Sequence, residues 1–179
     1  MVATTSSPVV ALRIDLIEES SLNPRRHFRR LDELAASLKN QQLEAIVVRP
    51  HPSLKGRYEL ADGARRFRAA KVGELETLDA RICALTDEDM LAYILGKGAP
   101  GNVDPLTPIE EAEGYAKAMN LLKLTLADLA HRFSRSVTHV HRVMALLNLP
   151  KESRAALEDG TLPQITAFEI ARIPGAEKR

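Results

Sequence analysis

The sequence is poor in cysteine and in aromatic residues, and each shortage narrows what the protein can be. Its 179 residues include one cysteine and no tryptophan, and aromatic residues make up 4%. The single thiol, Cys83, excludes an intramolecular disulfide, and its apolar neighbours predict a small core residue in a reducing compartment. So few aromatic side chains argue against a stacking platform for single-stranded nucleic acid.

Long apolar segments are missing as well. No stretch approaches the roughly 20 apolar residues that a membrane-spanning helix needs. Residues 1–8 have neither the charged start nor the apolar run of a signal peptide, and we expect them to form a disordered tail. These features predict a cytoplasmic protein with no membrane partner.

The net charge is close to zero, but the charges are unevenly distributed. The formal net charge is +1, and 45% of the residues are hydrophobic, enough to bury a core. Residues 23–30 hold four arginines and no acid, and residues 129–150 also lack acids, whereas acids concentrate in 85–89 and 110–113. The near-neutral total therefore hides local basic patches of the kind that attract anions such as nucleic acids.

The sequence predicts an α+β protein with two domains. Residues 9–95 have the pattern of a small mixed α/β domain, and Pro50 and the turn after it predict a hairpin. The predicted strands are Val9–Ile14, Ala45–Arg49, Arg57–Ala61 and Thr77–Cys83, and the predicted helices cover about 30–40, the segment after Gly63, and 87–95.

A glycine-rich joint at 96–106 separates this domain from an all-helical one at 107–179. Thr107, Pro108 and Glu110 supply a capping residue, a proline in the first turn and an acid at the third position, which together predict a helix start. The predicted helices cover 108–122, 126–133, 136–147, 151–159 and 163–173.

The segment from Tyr58 to Ala70 has the pattern of a phosphate-binding turn. A short strand runs into Gly63, which opens a helix whose start carries Arg65, Arg66 and Arg68. Helix N-termini expose unpaired N–H groups, and guanidinium groups match phosphate oxygens. The alternative is that these arginines simply face solvent.

Residues 125–147 have the arrangement of a DNA-reading helix-turn-helix. Thr125 caps the first helix, and the second starts with polar and basic side chains that suit phosphates and base edges. The candidate DNA-binding residues are Thr125, Arg135, Ser136, Thr138, His139, His141 and Arg142. Leu126, Leu129, Ala130, Val140, Val143, Met144 and Leu147 are predicted to face the core. An ordinary αα-hairpin is the alternative.

Metal binding by protein side chains is not predicted. His139 and His141 lie two residues apart on a helix, so they point to different faces and cannot chelate one ion together. Contact with DNA, or plain exposure, explains these histidines better.

In order along the chain, these motifs are similar to those of the ParB-type chromosome and plasmid partition proteins, including the KorB-like regulators. The matching segments are Asn23-Pro24-Arg25-Arg26 with Leu34-Ala35-x-Ser37-Leu38, Ala45-Ile46-Val47-Val48-Arg49-Pro50, Gly63-Ala64-Arg65-Arg66-Phe67-Arg68-Ala69, and Leu106-Thr107-Pro108-Ile109-Glu110-Glu111-Ala112. The resemblance extends over nearly the whole chain from about residue 10.

The resemblance implies a homodimer that binds a palindromic parS-like or operator site and uses CTP, with Mg²⁺ accompanying the nucleotide, to close into a sliding DNA clamp. It also implies slow CTP hydrolysis, a ParA-like Walker-type ATPase as partner, and association with a nucleoid or plasmid. The nucleotide-binding residues it implies are Arg25, Ala45, Ile46, Val47, Gly63, Ala64, Arg65, Arg66, Arg68 and Asn102.

Two departures from the family pattern bear on hydrolysis. Ala64 stands where the family usually has glutamate, and residues 98–105 match its Glu-Asn-x-x-Arg element only at Asn102. Because hydrolysis needs charge compensation and a placed water or metal, we expect weak or absent turnover and assign no catalytic residue. The chain also ends at Arg179, before the family's C-terminal dimerisation domain, and we expect it to be a truncated form.

Two other functions compete with a CTP switch. One is a KorB-like transcriptional repressor that has lost nucleotide binding, and the other is a nuclease or NTPase on the same N-terminal fold. A metal-dependent nuclease needs clustered carboxylates, and only Asp62 lies beside the turn. Sulfiredoxin shares the N-terminal fold, but its chemistry needs a cysteine at the phosphate turn. This chain has Ala64 there, which excludes the reductase function.

Overall fold

A computed structural model of the protein describes residues 7–96 and 105–173. The described residues form two compact units. The first comprises residues 7–23 and 28–94, and the second comprises residues 24–27, 95–96 and 105–173. A stretch of four residues in the first quarter of the chain, Pro24–His27, therefore packs with the second unit.

The first unit contains a five-stranded mixed sheet and three helices. The strands are β1 (Val9–Arg13), β2 (Ile17–Glu19), β3 (Ile46–Pro50), β4 (Tyr58–Asp62) and β5 (Thr77–Ile82). The helices are α1 (Leu31–Asn40), α2 (Ala64–Val72) and α3 (Asp87–Gly96). The strand order is β1-β5-β3-β4-β2, with β1/β5 and β3/β4 antiparallel and β5/β3 and β4/β2 parallel.

The core of this unit lies between the sheet and helices α1 and α2. Phe67 and Ala70 of α2 are fully buried against Ile46 and Val48 of β3, and Leu38 of α1 joins the same cluster. Leu31, Leu34 and Leu38 recur at helical spacing, so they lie on one face of α1 and bury it together. The predicted helices and the hairpin of β3 and β4 are confirmed, and Cys83 is buried as expected.

Two details of the predicted sheet are wrong. Strand β2 was not predicted, because three residues with two glutamates offer no alternation of apolar and polar positions. The predicted strand Ala45–Arg49 is displaced by one residue: β3 begins at Ile46, and Pro50 is its last residue, paired with Tyr58. A register shift between Val47 and Val48 marks an irregularity in the ladder at the level of Asp62.

The second unit is helical, and its helices begin at well-defined caps. They are α4 (Pro108–Leu122), α5 (Leu126–Arg132), α6 (Val137–Ala145), α7 (Lys151–Glu158) and α8 (Gln164–Ala171). Thr107 and Thr125 each form a complete capping box, with Glu110 and Asp128 respectively. Ser136 caps α6 by accepting the N–H of His139 at 3.1 Å. The α+β fold class is thereby confirmed.

The core of the second unit differs from the prediction at the end of α6. Leu146 is fully buried, whereas Leu147, which was predicted to face the core, is only half-buried. Helix α6 ends at Ala145, and a 3-10 turn at Leu146–Asn148 follows. The tighter turn advances each side chain by about 120° instead of 100°, which moves the buried position. Among the described residues, no helix combines the length and apolar character needed to cross a membrane.

Candidate functional site

The turn at Gly63 is built so that only glycine fits it. Gly63 has φ +93°, in the left-handed region that side chains rarely adopt. A Cβ placed there would lie 2.6 Å from Cγ2 of Ile46, which is fully buried in β3. The backbone of the turn therefore packs directly against Ile46 at the start of β3 and leaves no room for a side chain at position 63.

Arg66 ties the start of α2 to the residues just before β3. Its Nη1 donates to the carbonyl oxygens of Glu44 at 2.5 Å and of Ala45 at 3.0 Å. Its Nη2 lies 3.3 Å from the Glu44 carboxylate. Ala45, Ile46, Gly63 and Arg66, which the sequence placed in two separate motifs, thus meet at one place on the first unit.

The start of α2 has the electrostatics of an anion site. Gly63 provides no side-chain cap, and the first turn of α2 contains no acid. Arg65 is half-buried and contributes to the lowered pKa of Glu33, whose main cause is a hydrogen bond from Arg30. The positive end of the helix dipole and the guanidinium groups of Arg65 and Arg66 therefore meet at one helix start, although the exposed Glu44 carboxylate offsets part of the Arg66 charge. Half-buried Ala64, at the first position of α2, completes the turn, and Val47 pairs with Asp62 on the neighbouring strand.

Arg68 is engaged elsewhere. Its Nε and Nη2 donate to the two carboxylate oxygens of Glu19 at 2.8 and 2.7 Å, and its guanidinium lies 4.1 Å from the centre of the Phe28 ring. Such a two-pronged pair is among the stronger ionic contacts that a partly exposed arginine makes. Arg68 reaches a phosphate only if it gives up Glu19, a partner that lies on the strand missing from the sequence prediction.

The remaining predicted nucleotide residues are not placed at this turn. Arg25 belongs to the Pro24–His27 stretch that packs with the second unit. Asn102 lies outside the described residues. The structure therefore brings together the glycine turn, Arg66 and the start of β3.

Pro24–His27 is held to the second unit by a buried carboxylate. Glu110 of α4 is 1% exposed, and its Oε1 accepts the N–H groups of Arg26 at 2.6 Å and of His27 at 2.9 Å. The same oxygen lies 3.0 Å from Nδ1 of His27, and Arg26 pairs with Glu113. Burial pushes the pKa of Glu110 upward, but these hydrogen bonds and that of Thr107 outweigh it, and the pKa is lowered.

A buried ionic network lies on the hairpin of the first unit. Arg49 of β3 donates through Nε to Oε2 of Glu59 at 2.8 Å, through Nη1 to the Leu85 carbonyl at 3.2 Å, and through Nη2 to Asp87 at 2.6 Å. Ser20 donates to the other oxygen of Glu59 at 2.5 Å. Sequence reasoning missed this network, although opposite charges at directly paired hairpin positions, Arg49 and Glu59, gave a usable signal.

The predicted DNA-binding residues fall into two groups. Thr125 and Ser136 are exposed, but their hydroxyl groups cap α5 and α6. Arg135, Thr138, His141 and Arg142 are exposed around the start and the outer face of α6, and His139 is half-buried. The guanidinium of Arg142 lies 4.5 Å from the centre of the Phe168 ring, which orients it.

His139 belongs to a cluster that the sequence did not reveal. Its Nε2 lies 3.1 Å from Oε1 of Glu111 on α4, and the hydroxyl of Tyr115 donates to the same oxygen at 2.7 Å. Burial and the neighbouring Glu111 raise the pKa of Tyr115, although the Arg135 guanidinium interacts with the same hydroxyl and opposes the rise. Tyr115 therefore stays a neutral donor.

A groove on the first unit lies away from the glycine turn. It has a volume of about 1090 Å³ and is lined by the exposed pairs Arg13–Asp15 and Arg57–Glu18, among other residues. Its lining carries five acids and three cations, so its net charge is negative and it does not attract phosphate. Within residues 7–96 and 105–173, no group of three or more His, Cys, Asp or Glu residues is arranged to hold a metal ion.

Two family models together match almost the whole chain. The ParB N-terminal domain matches residues 2–99, and the ParB HTH domain matches residues 104–179. Stage 0 sporulation protein J of Bacillus subtilis is 34% identical over 157 residues, which cover 86% of this chain and 54% of that protein. Nucleoid occlusion protein of Listeria monocytogenes is 34% identical over 175 residues, which cover 96% of this chain and 59% of that protein. The chain spans little more than half the length of these relatives.

Solved structures show the same architecture. The C-terminally truncated chromosome-partitioning protein ParB from Caulobacter crescentus, complexed to the centromeric parS site, is 29% identical with a TM-score of 0.60, covering 93% of this chain and 87% of that one. Its complex with CTP-γ-S, also 29% identical, has a TM-score of 0.49 and covers 96% of both chains. The parS complex and this chain thus share a fold, a mixed α/β unit followed by a helix-turn-helix unit.

Proposed function

The chain belongs to the ParB family of partition proteins, and on that premise we propose that it is a sequence-specific DNA-binding protein of the partition type. The observation that carries this proposal is helix α6. It is capped by Ser136, it exposes Thr138, His141 and Arg142, and no acid occurs from residue 129 to residue 150. Such a helix suits the major groove of DNA, where its first residues meet base edges and phosphates.

The salt dependence of DNA binding tests this role. Arg142→Ala should weaken binding to the parS duplex of the Caulobacter complex and reduce the slope of log K against log [salt] by about 0.9, because one phosphate contact is lost. Arg172→Ala is the matched control, since Arg172 is an exposed arginine of the same unit that pairs with Glu169 after α8. Equal slopes in wild type and the Arg142 variant would count against the contact.

The first unit is proposed to bind a nucleoside triphosphate, with CTP favoured and Mg²⁺ accompanying it. Support comes from the meeting of two motifs. The segment Ala45 to Val47, which resembles the family motif that recognises a cytosine base, lies against the glycine turn that carries Arg65 and Arg66. Anions gather at such a helix start because its N–H groups and dipole favour negative charge. Ala64 belongs to the same site, whereas Arg25, Arg68 and Asn102 are proposed as residues that join it when nucleotide is bound.

Calorimetric titration with each of the four ribonucleoside triphosphates tests this site. We expect CTP-selective binding, lost in Arg65→Ala and Arg66→Ala. Arg13→Ala serves as the control because its ion pair with Asp15 is exposed and lies elsewhere on the same unit. CTP affinity that is unchanged in both site variants would refute the assignment, and no nucleotide binding at all would favour the repressor function instead.

Turnover is proposed to be weak or absent, because residues 98–105 lack the glutamate and arginine of the family's hydrolytic element. Rapid CTP hydrolysis stimulated by cognate DNA would refute this part, and DNA cleavage with added metal would favour a nuclease. Clamp closure by a second copy of the chain and recruitment of a Walker-type ATPase belong to the same proposal. Both are tested by crosslinking with and without CTP and by co-sedimentation with the ATPase.

A further inference from the structure

Glu111 stands out because it is an acid supplied to a region from which acids are otherwise missing. Helix α6 lies within the acid-free stretch 129–150, yet α4 places the Glu111 carboxylate at 3.1 Å from His139, inside the proposed DNA-reading surface. A carboxylate there repels phosphate and so lowers affinity for any DNA. Its presence therefore calls for a compensating benefit.

The contacts of Glu111 show what that benefit is. One oxygen, Oε1, receives both the hydroxyl of buried Tyr115 and Nε2 of His139. The Tyr115 hydroxyl also interacts with the guanidinium of Arg135, which lies in the turn just before α6. Because Oε1 only accepts, the hydrogen of the His139 ring in this contact is on Nε2, and the orientation of the ring is set. A single carboxylate thus fixes the orientation of the His139 ring.

We propose that Glu111 is a positioning residue for DNA recognition, which holds His139 in the orientation that discriminates between sequences. This inference rests on the proposed role of α6 in reading DNA. It assigns to α4 a part in sequence selectivity, although α4 is not the recognition helix. Affinity for DNA in general is reduced in exchange for orientation, as in other sites where a supporting carboxylate orients the residue that makes the contact.

Binding of a randomised pool of DNA duplexes tests the proposal, with the bound fraction sequenced. The readout is the ratio of affinity for the most enriched duplex to the average for the pool. Glu111→Ala should lower this ratio by about tenfold and Glu111→Gln by about threefold, since the amide keeps an acceptor but loses the charge. Average affinity for the pool should rise in both variants, because a negative charge is removed.

The control is Glu152→Ala, which removes one exposed acid from α7 of the same unit. It should raise average affinity and leave the selectivity ratio unchanged. A merely structural defect would lower selectivity and average affinity together, and this result would overturn the proposal. A selectivity ratio of Glu111→Gln within twofold of the wild-type ratio would also overturn the proposal. Because this substitution is isosteric, it keeps the test decisive if the alanine variant fails to fold. Wild-type protein that shows no selectivity would refute the proposed function itself, and this inference with it.

Discussion

Replacing Arg49 with methionine should destabilise the first unit by about 4 kcal/mol, because it leaves a buried carboxylate without its cation. The side chains of Arg49 and Glu59 are each 8% exposed, and they meet on the β3–β4 hairpin. Methionine is unbranched, reaches about as far as the arginine stem does up to Nε, and keeps the apolar packing of that stem. The change therefore removes charge and hydrogen bonds while leaving the volume nearly constant.

The expected magnitude follows from what each partner of Arg49 loses. Glu59 keeps the hydroxyl of Ser20 at 2.5 Å, but its charge is no longer compensated, which costs about 3 kcal/mol at a buried position. The carbonyl of Leu85 loses a donor, at a cost of about 1 kcal/mol. Asp87 is 51% exposed and recovers hydration, so its loss contributes little.

Native-state hydrogen exchange is the appropriate assay, because a chain of two units need not unfold in one step. The amide of Cys83, bonded to the carbonyl of Val48 at 2.9 Å, reports on opening of the sheet. Arg13→Met is the control: its pair with Asp15 is exposed, and we expect no measurable loss of stability. The double variant Arg49→Met with Glu59→Leu should recover at least half of the stability. A loss below about 1 kcal/mol in the single variant would refute this reasoning.

Three further predictions concern single positions. Gly63→Ala should lower the stability of the first unit by about 1–3 kcal/mol, because a methyl group would meet Ile46 and the backbone would be strained. Thermal denaturation measures this loss, and an unchanged melting temperature would contradict the prediction. Thr107→Ala should lower the stability of the second unit by about 1 kcal/mol, because the capping box of α4 is lost. Hydrogen exchange of the α4 amides measures this loss, and full protection of those amides in the variant would count against the prediction. The pKa of Glu110 is lower in the folded state than the usual glutamate value of 4.5. Ionised Glu110 therefore stabilises the folded state above pH 4.5, and this stabilisation is lost as the pH falls from that value through the lowered pKa. Glu110→Gln should therefore flatten the acid unfolding curve of the second unit, followed by circular dichroism, and an unaltered curve would show that Glu110 does not contribute.

Elements with strong local signals were predictable from the sequence. The start of α4 follows from Thr107, Pro108 and Glu110, whose capping geometry depends only on neighbours within one turn. The hairpin of β3 and β4 and the glycine turn before α2 follow in the same way from short-range pattern and backbone conformation. In each case the information lies within a few residues.

What the sequence did not reveal depends on distant partners. Glu110 was predicted only as a capping residue, yet its second oxygen holds the backbone of Arg26, 84 positions earlier. The pairing of Arg68 was missed together with β2, because Glu19 lies 49 positions away on a strand too short to recognise. The cluster of Glu111, Tyr115 and His139 likewise joins α4 to α6. Contacts between residues so far apart in the sequence leave no signal in the local sequence pattern.

The packing of Pro24–His27 has a practical consequence for dissecting this protein. A fragment that begins at Pro105 would contain every helix from α4 to α8 and still be incomplete, because two of the N–H groups that satisfy Glu110 come from Arg26 and His27. Cutting the chain at its apparent joint thus leaves a buried carboxylate undersatisfied. A synthetic peptide covering residues 20–30, added to that fragment, should bind it and restore its stability. In this chain, the limits of a folding unit and the limits of a sequence segment do not coincide.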